Sequence, residues 1–215
     1  MDLQTNKEKY NIEYCKEVLK EIFNMGICST AKSLSVLADN KYEVKLSIPH
    51  LEILNLGQII KKFESDDKYK TISCVSQKYS GSFQGIAYMF YSQDDSLKLV
   101  KLMLNSNLLP DQISELETDS LLEIGNLLLN ACLSAMGNFL KEEIKTELPE
   151  IKIGTAADVF GKRNLETKII FINSKFSLSE HDLNGHFSLF LESDRLDQLL
   201  KLVQSSGEKY FGVFE

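Results

Sequence analysis

Two short patterns in the sequence set a carboxylate three positions before a carboxamide: Glu21 with Asn24, and Glu123 with Asn126. A carboxamide donates and accepts hydrogen bonds without carrying charge, whereas an ionised carboxylate only accepts and favours a cationic partner. Residues three apart on an α-helix are surface neighbours, so each pair would offer both functions from one face. Ile22 and Ile124 sit at equivalent places inside the pairs, on the apolar stripe of their helices, which leaves the pairs themselves to solvent or to a partner. One such pair would carry little weight, because solvated helix faces hold them constantly. Two, at equivalent places in the chain, carry more.

Other chemistries find fewer parts. His50, His181 and His186 are the only histidines and no two cysteines lie close, so a zinc site lacks ligands. His181 and His186 flank an expected turn and read as surface or packing residues. No GxSxG, GxxxxGK[ST] or GxGxxG occurs, which leaves a serine elbow and a nucleotide cradle without support. Cys15, Cys28, Cys74 and Cys132 never form a CxxC and stand among apolar neighbours, as buried free thiols do. Asp66 and Asp67 lie in a polar loop and are expected to be solvated. A net charge of −7 opposes nucleic acid or anionic lipid as the main partner, since both reward a basic surface. The N-terminal residues lack the apolar core of a signal peptide, and no stretch approaches ~20 uninterrupted apolar residues. A cytoplasmic protein without membrane insertion is expected.

The elements that must position the pairs occur twice. Glu21-Ile22-Phe23-Asn24 matches Glu123-Ile124-Gly125-Asn126 at an offset of 102 residues (21 to 123), and Pro49, Gly85, Phe90 and Asp94 match Pro149, Gly185, Phe190 and Asp194 at an offset of 100. A net deletion of two residues between helix and proline accounts for the change. Each half opens with apolar residues at helical spacing, over roughly 10–39 and 116–142. A strand-like run follows, near 42–55 and 144–159, and then a hairpin. Its strands are expected near 70–79 and 82–92, turning at Ser80-Gly81, and near 167–178 and 185–192, turning through Ser179–Asn184. Each half closes with a short amphipathic helix, near 94–105 and 194–204, with Asp94 and Asp194 as expected N-caps. The segment Asn105–Asp119 is the expected joint, and the residues after Gln204 read as a tail or a terminal strand. The expectation is one domain over 1–215 made of two repeats, approximately 1–107 and 108–215, with internal duplication favouring a monomer. Its fold class is α/β of the α+β type: a pseudo-twofold arrangement of long helices packed on largely antiparallel sheet.

The segments EIFNMGICSTAKSLS and EIGNLLLNACLSAMG resemble the two signature helices of the CheC family of chemotaxis response-regulator phosphatases. The related CheX proteins carry one such helix per chain. The resemblance covers nearly the whole chain in length, duplication and element order. The family pattern runs Asp or Ser, three residues, Glu, two residues, Asn, nine residues, then Leu-Ser. The first copy keeps Glu21, Asn24, Leu34 and Ser35 with Glu17 at the leading position; the second keeps Asp119, Glu123 and Asn126, with Met136-Gly137 where Leu-Ser is usual. Four residues after each Asn, where glycine is common in the family, stand Cys28 and Asn130.

The resemblance implies a hydrolase acting on the phosphoaspartate of a CheY-type response regulator. Asn24 or Asn126 would orient the attacking water, and Glu21 or Glu123 would pair with the partner's lysine. Such chemistry rests on positioning and charge stabilisation more than on covalent help. It implies no intrinsic cofactor, the Mg²⁺ being held by the regulator. Family members can also bind the receptor deamidase CheD. The alternative is a non-catalytic docking module of chemotaxis or the flagellar switch, because the CheC fold resembles the middle domain of FliM. A FliY-like switch component would carry a further C-terminal domain of the FliN type, which this sequence does not include. Retention of the Glu/Asn pair in both copies favours the phosphatase, and the departures leave open which copy is the better site.

Overall fold

Asn11 starts the first helix. Its side-chain oxygen accepts from the backbone N–H groups of Glu13 and Tyr14 at 3.1 and 3.2 Å, which satisfies two donors that a helix N-terminus leaves free. The computed structural model describes residues 10–37, 44–47, 49–104, 110–174, 176–178, 181–183, 185–191 and 193–212. In chain order the elements are α1 (Ile12–Leu37), β1 (Val44–Leu46), β2 (His50–Asn55), α2 (Leu56–Glu64), a 3₁₀ turn (Asp67–Tyr69), β3 (Ile72–Gly81), β4 (Gly85–Ser92), α3 (Gln93–Leu104), α4 (Pro110–Leu140), β5 (Ile144–Thr146), β6 (Glu150–Gly154), α5 (Ala156–Phe160), β7 (Lys168–Asn173), β8 (Phe176–Leu178), β9 (His181–Leu183), β10 (Gly185–Leu191) and α6 (Ser193–Phe211).

The fold is of mixed helix and antiparallel sheet, as expected. The main sheet has the order β2-β7-β10-β4-β3-β5, with β6 also on the outer edge of β3 and every pairing antiparallel. A small second sheet joins β1, β8 and β9. Successive side chains on a strand point to opposite faces, and here both faces are covered. Val75, Tyr79, Ala87, Met89, Tyr91, Ile170 and Ile172 pack beneath α1, α3, α4 and α6. Cys74, Tyr88, Phe90, Ile169 and Phe171 pack against α2 and α5, where Phe63, Phe90 and Phe160 form a ring cluster with centroids 5.3–5.6 Å apart. The long helices touch closely: a Cβ on Gly26 of α1 would stand 2.9 Å from the Cys132 Cα of α4. Only a residue without a side chain permits that approach. Thr118–Leu140 of α4 is long and apolar enough to cross a bilayer, but Leu121, Ile124, Leu129, Cys132, Leu133 and Met136 are buried in this core.

Several expected boundaries move. The joint is shorter than Asn105–Asp119, because Pro110 opens α4; proline suits the first helical position, where its missing N–H costs nothing. Asp94 lies within the first turn of α3, and the cap is Ser92, whose hydroxyl accepts from the Asp95 N–H at 3.2 Å. Asp194 likewise falls inside α6. The first strand-like run is split in two ahead of Pro49, and the second, split ahead of Pro149, ends in α5. The hairpin turn falls after Gly81, over residues 82–84. The segment expected as a single turn at Ser179–Asn184 contains β9, which pairs back on β8. Among the described residues Gln204 is followed by helix rather than by a tail or strand: α6 continues to Phe211, with Phe139 of α4 stacked on Phe211 at 5.6 Å. Helix α2 was not anticipated at all. It is held by a reciprocal capping box between Asn55 and Gln58.

Candidate functional site

Both Glu/Asn pairs lie in the middle of long helices, α1 and α4, whose opposite faces are pinned in the core. Ile22 is fully buried and Ile124 nearly so, while Glu21, Glu123 and Asn126 are exposed and Asn24 is half-buried. Neither Glu21 nor Glu123 has a hydrogen-bond or ion-pair partner among the described residues, so both carboxylates are available to an incoming cation. Met25, beside Asn24, is 44% exposed, which adds an apolar contact to the outer face of α1.

The carboxamides differ in their surroundings. Among the described residues the Asn24 oxygen is approached only by the Cys28 thiol at 3.6 Å, a weak donor. The Asn126 oxygen accepts from Asn130 Nδ2 at 2.7 Å and from Gln77 Nε2 at 3.3 Å. Gln77, on β3, is 2% exposed. Its amide nitrogen also donates to the Asn130 oxygen at 3.3 Å and to the Glu147 backbone carbonyl at 3.0 Å. The Thr146 hydroxyl donates to the Asn130 oxygen at 3.2 Å. The second site is thus tied to β3, to β5 and to the β5–β6 connection, whereas among the described residues the first is bonded only within its own helix.

The sequence pattern named the four residues of the pairs, and the structure adds Gln77, Asn130 and Thr146 as neighbours of the second pair. Two cues were present. Asn130 lies four residues after Asn126 and hence on the same helical face. Gln77 interrupts the apolar alternation of Val75 and Tyr79 on the inner face of β3. The thiol expectation needs one correction: Cys15, Cys74 and Cys132 are buried, but Cys28 is exposed, because it falls on the outward face of α1 with Asn24. His50 is exposed near Glu52 at 3.8 Å. The side chains of His181 and His186 lie outside the described residues. Among the described residues no group of three or more His, Cys, Asp or Glu side chains could hold a metal.

No protein-family model matches the chain. Among known proteins, the CheY-P phosphatase CheC of Bacillus subtilis is 19% identical over 202 residues, spanning 88% of this chain and 94% of that protein. Among solved structures, Thermotoga maritima FliY superposes with a TM-score of 0.73 at 14% identity, covering 92% of this chain and 99% of that one. The chain is CheC/CheX-like. A chain of the CheX–CheY–BeF3–Mg complex from Borrelia burgdorferi has the same fold, with a TM-score of 0.53 at 12% identity over 80% of this chain and 97% of that one. The FliM middle domain from H. pylori has it too, with a TM-score of 0.59 at 11% identity over 89% and 99%.

Proposed function

We propose that this chain hydrolyses the phosphoaspartate of a CheY-type response regulator. The observation that carries the reading is the pair of outward-facing Glu/Asn couples on two packed helices, with both carboxylates unpaired among the described residues. The name of the CheC relative and the CheX–CheY complex support the partner class. In the proposed complex the regulator holds its own Mg²⁺ and its own lysine beside the phosphoaspartate. Glu21 or Glu123 pairs with that lysine and fixes the docking pose, an interaction that gives specificity more than affinity. Asn24 or Asn126 reaches the phosphoryl group and orients a water. The water oxygen attacks phosphorus, the acyl P–O bond breaks, and inorganic phosphate and the free aspartate carboxylate leave. Preorganised hydrogen-bonding groups of this kind contribute about 10²-fold or more to a rate.

The test is the decay of phosphorylated B. subtilis CheY, with this chain substoichiometric. Wild type should accelerate decay, and the double variant N24A/N126A should return it to the regulator's own rate with unchanged circular dichroism. An undiminished rate in the double variant overturns the assignment. The likeness to the FliM middle domain favours a second reading, docking without hydrolysis. In that case both proteins bind CheY but neither accelerates its decay.

A further inference from the structure

We infer that the two sites are unequal and that Asn24 carries most of the turnover, because the side-chain oxygen of Asn126 is already committed within the protein. The inference rests on the hydrolase reading above and adds which copy works and what restrains the other.

The polarity of the network around Asn126 is fixed from its inner end. The Glu147 backbone carbonyl can only accept, so Gln77 must turn its NH₂ group toward it, at 3.0 Å. The same NH₂ group then faces Asn126 and Asn130 at 3.3 Å each, and both must present oxygen to it. With its oxygen turned inward to Gln77 and to the Thr146 hydroxyl, Asn130 has its NH₂ group left for the Asn126 oxygen, at 2.7 Å. Flipping any one of these amides would set donor against donor or acceptor against acceptor. One Gln77 N–H goes to Glu147 and the other is divided between the Asn126 and Asn130 oxygens, so the Asn126 oxygen accepts one full bond, from Asn130, and a share of a second, and its NH₂ group is the part without a partner among the described residues.

A water that attacks phosphorus must aim a lone pair at it. An amide achieves this by accepting one of the water's hydrogens through its oxygen. Asn24 can do so, since its one hydrogen-bonding neighbour among the described residues is the Cys28 thiol at 3.6 Å. Asn126 can do so only by giving up its bond from Asn130 or its share of the Gln77 N–H. A net hydrogen bond of ordinary strength corresponds to about a fivefold to tenfold handicap in rate. Cys28 and Asn130 occupy the same place, four residues after their Asn, so this position is one that distinguishes the two carboxamides.

Four variants in the CheY decay assay test this. N126A should keep about four-fifths or more of the wild-type acceleration, while N24A should lose about fivefold to tenfold. In the N24A background, N130C gives α4 the residue that α1 carries and should raise the rate several-fold above N24A alone. A purely structural role for Asn130 predicts a fall instead. The inference is overturned if N126A removes the larger share, or if N130C fails to raise the N24A rate. Full activity in N24A/N126A would instead sink the hydrolase reading on which it rests.

Discussion

Gly125 offers a direct test of how α4 is seated. It lies between Ile124 and Asn126, where α1 carries the fully buried Phe23. A Cβ on Gly125 would stand 2.5 Å from Val75 Cγ1, 2.8 Å from its Cβ and 3.0 Å from its Cγ2. Non-bonded carbons prefer about 3.5–4.0 Å. Val75 is fully buried and β-branched, so it has no easy alternative rotamer. G125A must lift α4 from β3 or strain Val75. Overpacking of this kind costs about 1–3 kcal/mol, offset by about 1 kcal/mol from replacing a mid-helix glycine with alanine. The net expectation is a loss of about 1 kcal/mol. V75A alone removes two methyl groups from the core and leaves a void, costing about 2 kcal/mol. In the double variant two of the three close contacts vanish and the new methyl partly fills the void. Its destabilisation should therefore fall short of the two singles added together by about 1 kcal/mol. Urea denaturation followed by circular dichroism gives all four corners of the cycle, provided the m-value stays constant. Simple additivity within about 0.5 kcal/mol would refute the close seating of α4 on β3.

Two further outcomes follow from the core and the caps. N55A removes the capping box of α2, in which the Asn55 oxygen accepts from the Gln58 N–H at 2.9 Å and the Gln58 side chain accepts from the Asn55 N–H at 2.9 Å. It should cost about 1 kcal/mol and lower the melting midpoint by about 2–4 °C; an unchanged midpoint would remove α2's cap from the account. In thiol counting with Ellman's reagent near neutral pH, one cysteine should react in the native protein and all four after denaturation. Burial pushes the Cys15 thiol up to about 11 and raises those of Cys74 and Cys132 as well, so they stay protonated and shielded until the chain unfolds. A second fast native thiol would contradict the packing of α1 and α4.

The sequence was most legible where a period persisted. Sustained helical patterns run over roughly 10–39 and 116–142, and the structure has α1 at Ile12–Leu37 and α4 at Pro110–Leu140. The hairpin β3–β4 showed because its two apolar runs flank Ser80 and Gly81. Short elements were not legible: α2 is nine residues with a local capping signal, and β9 is a three-residue strand that needs β8 before it has a reason to exist. The site divided in the same way. Glu21, Asn24, Glu123 and Asn126 are local patterns and could be found from spacing. Gln77 is 49 residues from Asn126 in sequence and meets it only because the sheet and α4 pack together. Nothing in the chain's periodicity orders residues across that interval. Cys28 was misplaced for a related reason: its neighbours in sequence are apolar, but it occupies the one helical face that the core does not use.

The difference between the two sites has its root in backbone approach. Gln77 is buried and anchored to the Glu147 carbonyl, so it reaches the outer face of α4 only because the helix comes close enough for Gly125 to rest on Val75. A larger residue at that position would hold the helix off. The 3.3 Å contacts from Gln77 to Asn126 and Asn130 would then be the first to lengthen, since hydrogen bonds weaken steeply beyond that range. Gly125 and Asn130 thus act together: one lets the strand reach the helix, and the other passes that contact to the carboxamide. On α1 neither residue is present. Phe23 fills the core at the first position, and Cys28 offers only a thiol at the second. The differences at these two positions go with one carboxamide oxygen left free among the described residues and the other held.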